Sequence, residues 1–355
     1  MIERLRLQNF TAFRDLDIDL SAKINLIIGE NGTGKTHLLK AAHTLCSGNR
    51  ASAGRKAPSS TEELQATLTE RLIRIFLPLD DKLGKLRTQG AAEGVLLEAD
   101  FVFDKKIAVT FHANSKTVTV VENQDYERYS WQPVFIPTKE VLSFMKGFNS
   151  LYDKYELSFD QTYHELCLFL DLPELRSENL QPKPRWAMDE IQALCGGRFL
   201  FHGGGKVTFK ADGIEYSVNV LAEGFRKIGI LSRLLETGVI QPGVSGPLFW
   251  DEPEANLNPS VARLLVKILI ELARLGQQVV IATHDYFVLK WFHLEANKAE
   301  GDSVRYHALH RDPATGLIAV NTTEDYDAVA PNAIDETFEA VINSDIDRSL
   351  GSLGR

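Results

Sequence analysis

The feature that most constrains the fold of this chain is one octapeptide, Gly29-Glu30-Asn31-Gly32-Thr33-Gly34-Lys35-Thr36. The apolar residues before it predict a buried strand, and residues 37–45 after it predict a helix. A glycine-rich loop in this position lets backbone N–H groups surround phosphate oxygens at the positive end of the helix. Lys35 is then placed to reach the β- and γ-phosphates, and the Thr36 hydroxyl to bind Mg²⁺. All residues of the octapeptide except Glu30 are therefore predicted to bind a nucleoside triphosphate or its metal ion.

The composition is that of an ordinary globular protein. Of the 355 residues, 44% are hydrophobic and 25% are charged, which suits two domains or one large domain with an insertion. No apolar run approaches the roughly 18 residues of a membrane span, and the N-terminus lacks the apolar segment of a signal peptide. Cys46, Cys167 and Cys195 form no Cys-x-x-Cys pair, which argues against a disulfide framework or a zinc hook. We therefore expect a cytoplasmic protein without a membrane partner.

Hydrophobic patterning and charge describe the rest of the chain. Residues 1–28 predict strands, since Leu16, Ile18 and Leu20 alternate with aspartates. The formal net charge of −9 disfavours a surface covered by nucleic acid, although a local basic groove remains open. The further predicted segments are a loop at 47–60, a helix at 61–77, strands within 95–121, mostly helices at 139–195, and a glycine hairpin turn at 203–205.

A second motif lies at residues 248–254, where a short apolar run ends in Asp251-Glu252-Pro253-Glu254. This is the Walker B pattern, in which Asp251 holds Mg²⁺ directly or through water. Glu252 is placed to orient and deprotonate the attacking water. A carboxylate pair after three apolar residues is common, so the motif gains its weight from the neighbouring segments of the chain.

Three further features surround the Walker B motif. Asn258 and Pro259 have the residue types of a helix N-cap and first turn, and the next buried strand, 278–282, runs into His284. His284 is thus a candidate sensor of the γ-phosphate. Upstream, Ala222-Glu223-Gly224 opens a helix whose N-terminus is suited to bind an anion, although the same pattern fits an ordinary helix start.

Together these motifs resemble those of ATP-binding-cassette (ABC) ATPases of the SMC/RecF/OLD-like group, and in particular compact prokaryotic AAA family ATPases of phage-defence operons. The resemblance covers nearly the whole chain. Ala222-Glu223-Gly224 resembles the signature motif, residues 251–259 resemble Walker B plus the D-loop, and His284 resembles the switch histidine. Residues 135–140 resemble the Q-loop region, with Gln132 as the candidate Q-loop ligand of the metal. The implied cofactors are ATP and Mg²⁺.

The resemblance implies an α/β P-loop NTPase fold like that of an ABC or SMC head. It has a mixed sheet with helices on both sides and an α/β insertion between Walker A and the signature. The expected divisions are a core part with Walker A at 1–48, an insertion with strands and a helical subdomain at 49–200, a core part with the remaining motifs at 201–325, and a C-terminal tail at 326–355.

Two departures from the group and two rival classes qualify this interpretation. Ala222 stands where transporter cassettes carry serine, so one hydroxyl contact to the γ-phosphate is missing. The long coiled-coil arm is also absent, which argues against tethering DNA at a distance. Hexameric AAA+ motors place Walker B much sooner after the P-loop, and the Asn297-Lys298-Ala299-Glu300 stretch lacks the final Asp of a GTPase base reader.

The resemblance implies catalytic roles for Lys35, Glu252 and His284 in an Mg-dependent ATPase. Because the signature of one subunit caps the ATP of the other in this group, we expect a head-to-tail dimer or a higher oligomer. Such a switch would gate a partner effector, a nuclease or a toxin from the same operon, in antiviral defence. The alternative is a RecF-like ATPase that binds DNA in repair or maintenance. A scaffold that binds ATP without hydrolysis is disfavoured by the intact carboxylate pair.

Overall fold

The computed structural model describes residues 1–50, 57–155, 157–176 and 181–353, with the backbone alone for 350–353. Parts of the predicted loop at 47–60 and of the predicted helical segment at 139–195 therefore lie outside the described residues. The strands are β1 (Ile2–Phe10), β2 (Phe13–Asp19), β3 (Ile24–Gly29), β4 (Val95–Phe101), β5 (Lys105–Phe111), β6 (Thr119–Gln124), β7 (Val134–Ile136), β8 (Arg198–Phe201), β9 (Val207–Ala211), β10 (Ile214–Ser217), β11 (Leu248–Asp251), β12 (Val279–Thr283), β13 (Val304–Arg311) and β14 (Ile318–Thr323). The helices are α1 (Lys35–Ser47), α2 (Thr61–Phe76), α3 (Phe148–Lys154), α4 (Gln161–Leu170), α5 (Pro182–Cys195), α6 (Glu223–Glu236), α7 (Pro259–Arg274), α8 (Tyr286–Glu295) and α9 (Ala333–Leu353).

A six-stranded mixed sheet forms the centre of the molecule, in the order β14-β13-β3-β12-β11-β7. All neighbouring strands are parallel except β13 and β14, which pair antiparallel. The parallel strands are short and apolar because side chains are buried on both faces of the sheet. Since the carboxyl ends of parallel strands meet at one edge, the residues that follow β3, β7, β11 and β12 lie together there.

A five-stranded antiparallel sheet, in the order β2-β1-β4-β5-β6, packs beside the central one. The predicted alternation in β2 is confirmed, because Leu16 and Ile18 are buried while Asp15 and Asp17 face solvent. β4 pairs with β1 over residues 95–101, and β7 pairs with β11. The segment 49–200 therefore contributes strands to both large sheets.

Helices cover both faces of the central sheet, as predicted. α1 lies between the two large sheets, where Ile27 faces a core shared with β1 and β4. Leu26 and Ile28 point to the opposite face, against a core built largely by α6 and α7. The buried residues of α7 recur with the helical spacing that the sequence shows after Pro259.

Two peripheral elements complete the description. The strands β8 and β9 form a hairpin in a small sheet with β10, and Gly203, Gly204 and Gly205 have positive φ in its connection, which confirms the predicted turn. The last described element, α9, contacts α8, where the rings of Phe338 and Tyr286 stack. Among the described helices, none has the length and apolar composition needed to cross a bilayer.

Candidate functional site

The octapeptide forms a loop between β3 and α1 in which three glycines have positive φ (Gly29 146°, Gly32 81°, Gly34 95°). A Cβ atom on Gly29 would collide with the Leu309 carbonyl oxygen, and one on Gly34 would lie 2.8 Å from the ring of Phe13. Apart from Gly32 itself and its two chain neighbours, no heavy atom of the described residues lies within 4 Å of the corresponding point on Gly32. Glycine is thus required at two positions by close neighbours, while the third leaves room for a ligand.

Lys35 is the first residue of α1, and its side chain turns back over the loop. Its Nζ donates hydrogen bonds to the carbonyl oxygens of Gly29, at 2.7 Å, and Glu30, at 3.0 Å. Burial lowers the pKa of Lys35, while the nearby carboxylates of Glu252 and Asp251 oppose that shift. A partly buried cation over a ring of glycines fits the binding of phosphate.

The next residue, Thr36, faces the end of β11. Its Oγ1 lies 3.1 Å and 2.9 Å from the two carboxylate oxygens of Asp251. Thr138 donates from its Oγ1 to Oδ2 of the same carboxylate, at 3.0 Å. Burial raises the pKa of Asp251, and both threonine hydrogen bonds counteract this. The oxygen donors of Thr36 and Asp251 are of the kind that Mg²⁺ prefers, and the Asp251 carboxylate is buried, with hydrogen bonds from two threonine hydroxyls.

The expectation that Gln132 is a metal ligand is wrong. Gln132 precedes β7, and its carbonyl oxygen accepts a hydrogen bond from Gly246, which precedes β11. Because β7 and β11 are parallel, with Ile136 beside Trp250, Gln132 lies at the edge of the sheet opposite to Asp251. Thr138, two residues beyond the carboxyl end of β7, contacts Asp251 instead. The resemblance indicated the correct segment, 135–140, but not the residue.

The residue after Asp251 has an unusual backbone conformation. Glu252 has φ of 49°, a left-handed value that is uncommon outside glycine. Its carboxylate oxygen lies 3.2 Å from Nδ1 of His284, whose side chain is 47% exposed. Glu254 accepts hydrogen bonds from the Thr283 hydroxyl, at 2.8 Å, and from the His284 backbone N–H, at 3.1 Å. The predicted base, Glu252, and the predicted sensor, His284, are therefore neighbours. The two hydrogen bonds to Glu254 fix the backbone that carries His284.

A buried lysine that the sequence analysis did not single out also contacts this loop. Lys227, on α6, is 1% exposed and donates from Nζ to the backbone carbonyl of Glu252. Burial lowers the pKa of Lys227 to about 8. No sequence pattern marks this lysine, because its position in the first turns of α6 is equally compatible with solvent exposure.

The signature residues begin α6. Ala222 is the N-cap residue and makes no side-chain capping bond, and Glu223 and Gly224 follow in the first turn. A Cβ atom on Gly224 would lie 2.6 Å from the carbonyl oxygen of Asn256. The start of α6 thus packs closely on the D-loop of its own chain. Among the described residues that line the cleft at the P-loop, Ala222, Glu223 and Gly224 do not occur.

That cleft has a volume of about 720 Å³ and opens beside the P-loop. Its walls include Asn31, Thr36 and Glu252 from the motifs. Further lining residues lie outside the Walker A and Walker B motifs: Thr11, Ala12, His37, Phe76, Pro78, Leu79, Lys85, Leu86, Arg87 and Gln89. Lys85 and Arg87 bring positive charge to the wall, and the apolar residues provide a surface for a flat ring.

Comparison with known families agrees with this geometry. The sequence matches the family described as "AAA domain, putative AbiEii toxin, Type IV TA system" over residues 24–290, well over half of the chain. The chain belongs to this AAA-domain family. The matched region extends from β3, through the P-loop and Walker B, to α8.

Curated relatives match over a short stretch. The DNA replication and repair protein RecF of Salinibacter ruber is 46% identical over 46 residues, 13% of this chain and 11% of that protein. RecF of Cytophaga hutchinsonii is 47% identical over 45 residues, 13% of this chain and 12% of that protein. The chain therefore spans about a tenth of the length of the curated relatives it matches.

Among solved structures, an SMC head bound to the C-terminal winged-helix domain of ScpA superposes with a TM-score of 0.57. The two chains are 13% identical, and the match covers 92% of this chain and 98% of the other. At this identity the likeness concerns the fold. The predicted SMC-head-like α/β fold is confirmed, and the family match confirms the predicted membership of an AAA family.

Proposed function

We propose that this AAA-domain protein is an ATP-hydrolysing switch. The observation that carries the proposal is the contact between Thr36 and Asp251, at 2.9 Å, which joins two motifs 215 residues apart beside the P-loop lysine. Neither motif alone specifies hydrolysis. Side by side, with Glu252 next in the chain, they contain the parts that phosphoryl transfer to water requires.

The proposed chemistry assigns one task to each side chain. The P-loop amides and Lys35 bind the β- and γ-phosphates, and Thr36 and Asp251 hold Mg²⁺, which when bound neutralises phosphate charge. Glu252 accepts a proton from the water whose oxygen forms a bond to the γ-phosphorus. The bond to the β–γ bridging oxygen breaks, and ADP leaves. His284, 3.2 Å from Glu252, is suited to orient that carboxylate and to contact the γ-phosphate.

The arrangement of the signature supports a head-to-tail dimer. Within the described residues, the signature does not line its own chain's cleft, so a composite site requires the start of α6 from a second copy. In that dimer, backbone N–H groups of Glu223 and Gly224 would face the γ-phosphate of the partner. Ala222 would provide no hydroxyl, so we expect weaker closure than in cassettes with serine.

For the partner, the proposal is a toxin or nuclease effector encoded beside this protein, in antiviral defence. The family description mentions a type IV toxin–antitoxin system, which supports a place in such a system, but it applies the words putative toxin to the AAA-domain family itself and names no separate effector. The second candidate is a RecF-like role on DNA, favoured by the local identity to two RecF proteins. A DNA affinity that falls steeply as the salt concentration rises would favour the second candidate. If the protein does not bind DNA even at low salt concentration, the second candidate is excluded.

The decisive test uses Glu252→Gln, with Glu190→Gln, an exposed position on α5, as the matched control. Glu252→Gln should bind Mg-ATP as the parent does but hydrolyse it only at a low residual rate, since only the proton acceptor is removed. Light scattering should then show a dimer that forms only with Mg-ATP. Hydrolysis at the parental rate would refute the role of Glu252, and an assembly that ignores ATP would refute the switch.

A mixing experiment tests the composite site separately. Lys35→Ala should lose ATP binding, and Gly224→Asp should fail to cap the ATP of its partner. A mixture of the two variants contains one intact composite site in each mixed dimer, so it should recover part of the ATPase activity. No recovery in a mixture that forms mixed dimers would contradict the head-to-tail arrangement.

A further inference from the structure

Lys227 is the least expected residue near the candidate site. Its ammonium group is buried, and among the described residues the acceptor of its hydrogen bond is the Glu252 carbonyl oxygen. The carboxylates of Glu254, Glu252, Asp251 and Glu223 act on it electrostatically, without an ion pair among the described residues. A buried ammonium bonded to a neutral carbonyl disfavours folding, whereas methionine, an apolar side chain of similar length, would not. The position therefore suggests a role other than stability.

The Glu252 carbonyl is where the lysine can influence chemistry. The same oxygen accepts the Ala255 N–H at 3.1 Å, and the Glu252 N–H donates to Ala282 at 2.9 Å. These bonds hold both peptides that flank the Glu252 Cα atom. With φ at 49°, the backbone there is in a conformation that persists only when its surroundings fix it. Since the Glu252 side chain projects from this Cα atom, its direction depends on these bonds.

The lysine also connects this backbone to a second element. Lys227 lies one turn after Gly224, and Gly224 packs on the Asn256 carbonyl at the far end of the same turn. The first turns of α6 thus touch residues 252–256 at both ends. A displacement of α6 would move the Glu252 peptide through Lys227 and the D-loop through Gly224.

We propose that Lys227 is a positioning residue, which holds Glu252 in the direction needed to activate water and makes that direction depend on the position of α6. The proposal rests on the proposed function, in which Glu252 accepts the proton and α6 contacts the ATP of a partner subunit. When the ATP of the partner subunit contacts the start of α6, the resulting shift of α6 then changes the orientation of Glu252 in the same chain. Lys227 itself touches no reacting atom.

The test replaces the lysine and separates its effect on catalysis from its effect on binding. Lys227→Met should lower kcat roughly 10- to 100-fold, because a displaced base is inefficient. It should leave the KM for Mg-ATP within about twofold, because ground-state contacts remain. The melting temperature should not fall, since a buried charge has been removed. Lys267→Met, on α7 and 42% exposed at its side chain, is the matched control and should behave as the parent.

A double-variant cycle identifies the group through which Lys227 acts. In the Glu252→Gln background, Lys227→Met should cause no further fall in the single-turnover rate. If the two losses multiply, Lys227 acts elsewhere and the proposal is wrong. If Lys227→Met does not fold, Lys227→Gln, with an N–H donor on a shorter side chain, provides the same comparison of kcat with KM.

The outcomes also distinguish this proposal from the proposed function. If Glu252→Gln hydrolyses ATP only at a low residual rate while Lys227→Met retains the parental kcat, the positioning role is refuted and the ATPase assignment stands. If Glu252→Gln hydrolyses ATP at the parental rate, the catalytic assignment itself fails. A loss of melting temperature together with a raised KM would indicate that Lys227 only supports the structure.

Discussion

Replacing Lys227 by methionine should make the nucleotide-free protein more stable at neutral pH. The pKa of the buried amine is lowered from 10.5 to about 8. A difference of this size corresponds to about 3 kcal/mol by which the charged amine favours the unfolded chain at pH 7. The variant loses the hydrogen bond to the Glu252 carbonyl, which is worth about 1 kcal/mol. The net expected gain in the free energy of unfolding is therefore about 2 kcal/mol.

The stability difference between the parent and the methionine variant should depend on pH in a defined direction. Because the pKa of Lys227 is lower in the folded protein, the unfolded chain binds the additional proton between pH 8 and 10.5. The parent therefore gains stability as pH rises through that window, and the methionine variant lacks this gain. The contribution of about 3 kcal/mol at pH 7 should fall to roughly half at pH 9.5, so the two proteins should then be nearly equally stable.

Urea unfolding of both proteins at pH 7.0 and 9.5, without nucleotide or metal, provides the measurement. The difference between the two proteins cancels other groups that titrate in this range. Two results would refute the reasoning. One is a variant less stable than the parent at pH 7, and the other is a difference that does not change with pH, either of which would mean that burial does not disfavour the charged amine.

Three further predictions concern the site and the core. Thr138→Val, which removes the hydroxyl that contacts Asp251, should raise the Mg²⁺ concentration for half-maximal ATPase activity on the order of tenfold, measured by metal titration; an unchanged titration would contradict its role. Gly224→Ala should lower the free energy of unfolding by about 1–3 kcal/mol, measured in urea, because its Cβ atom would collide with the Asn256 carbonyl. Unchanged stability would contradict this prediction, because the D-loop would then move aside without cost. Burial lowers the pKa of His307 to about 3, so the parent should lose stability as pH falls below 6.5, by up to about 1.4 kcal/mol per pH unit, while His307→Gln lacks this term. Parallel stability curves for parent and variant between pH 7 and 5 would exclude that effect.

Most of the fold was predictable because its elements carry local signals. The alternation in β2, the apolar runs of β3, β11 and β12, and the helical spacing in α7 each depend on short-range patterns. The octapeptide predicted its own loop, since glycines with positive φ are needed at fixed positions. The contact of Thr36 with Asp251 followed from the shared chemistry of the two motifs.

The Q-loop residue was not predictable in the same way. β7 has three residues, and nothing in so short a run specifies which strand it joins or in which direction. Its parallel pairing with β11 decides that Thr138 reaches Asp251 and that Gln132 lies at the opposite edge. The resemblance indicated the segment 135–140, whereas the parallel pairing of β7 with β11 decides which residue of that segment contacts Asp251.

The sequence by itself determined the P-loop, the Walker B carboxylates and the order of most strands and helices, because these depend on residue type and local spacing. Only the tertiary structure decided that β4 to β6 extend the sheet of β1, that Thr138 contacts Asp251, and that Lys227 is buried against Glu252. The physical reason is that a hydrogen bond between distant segments depends on how sheets and helices pack. A polar side chain has the same local signature whether packing buries it or leaves it in water.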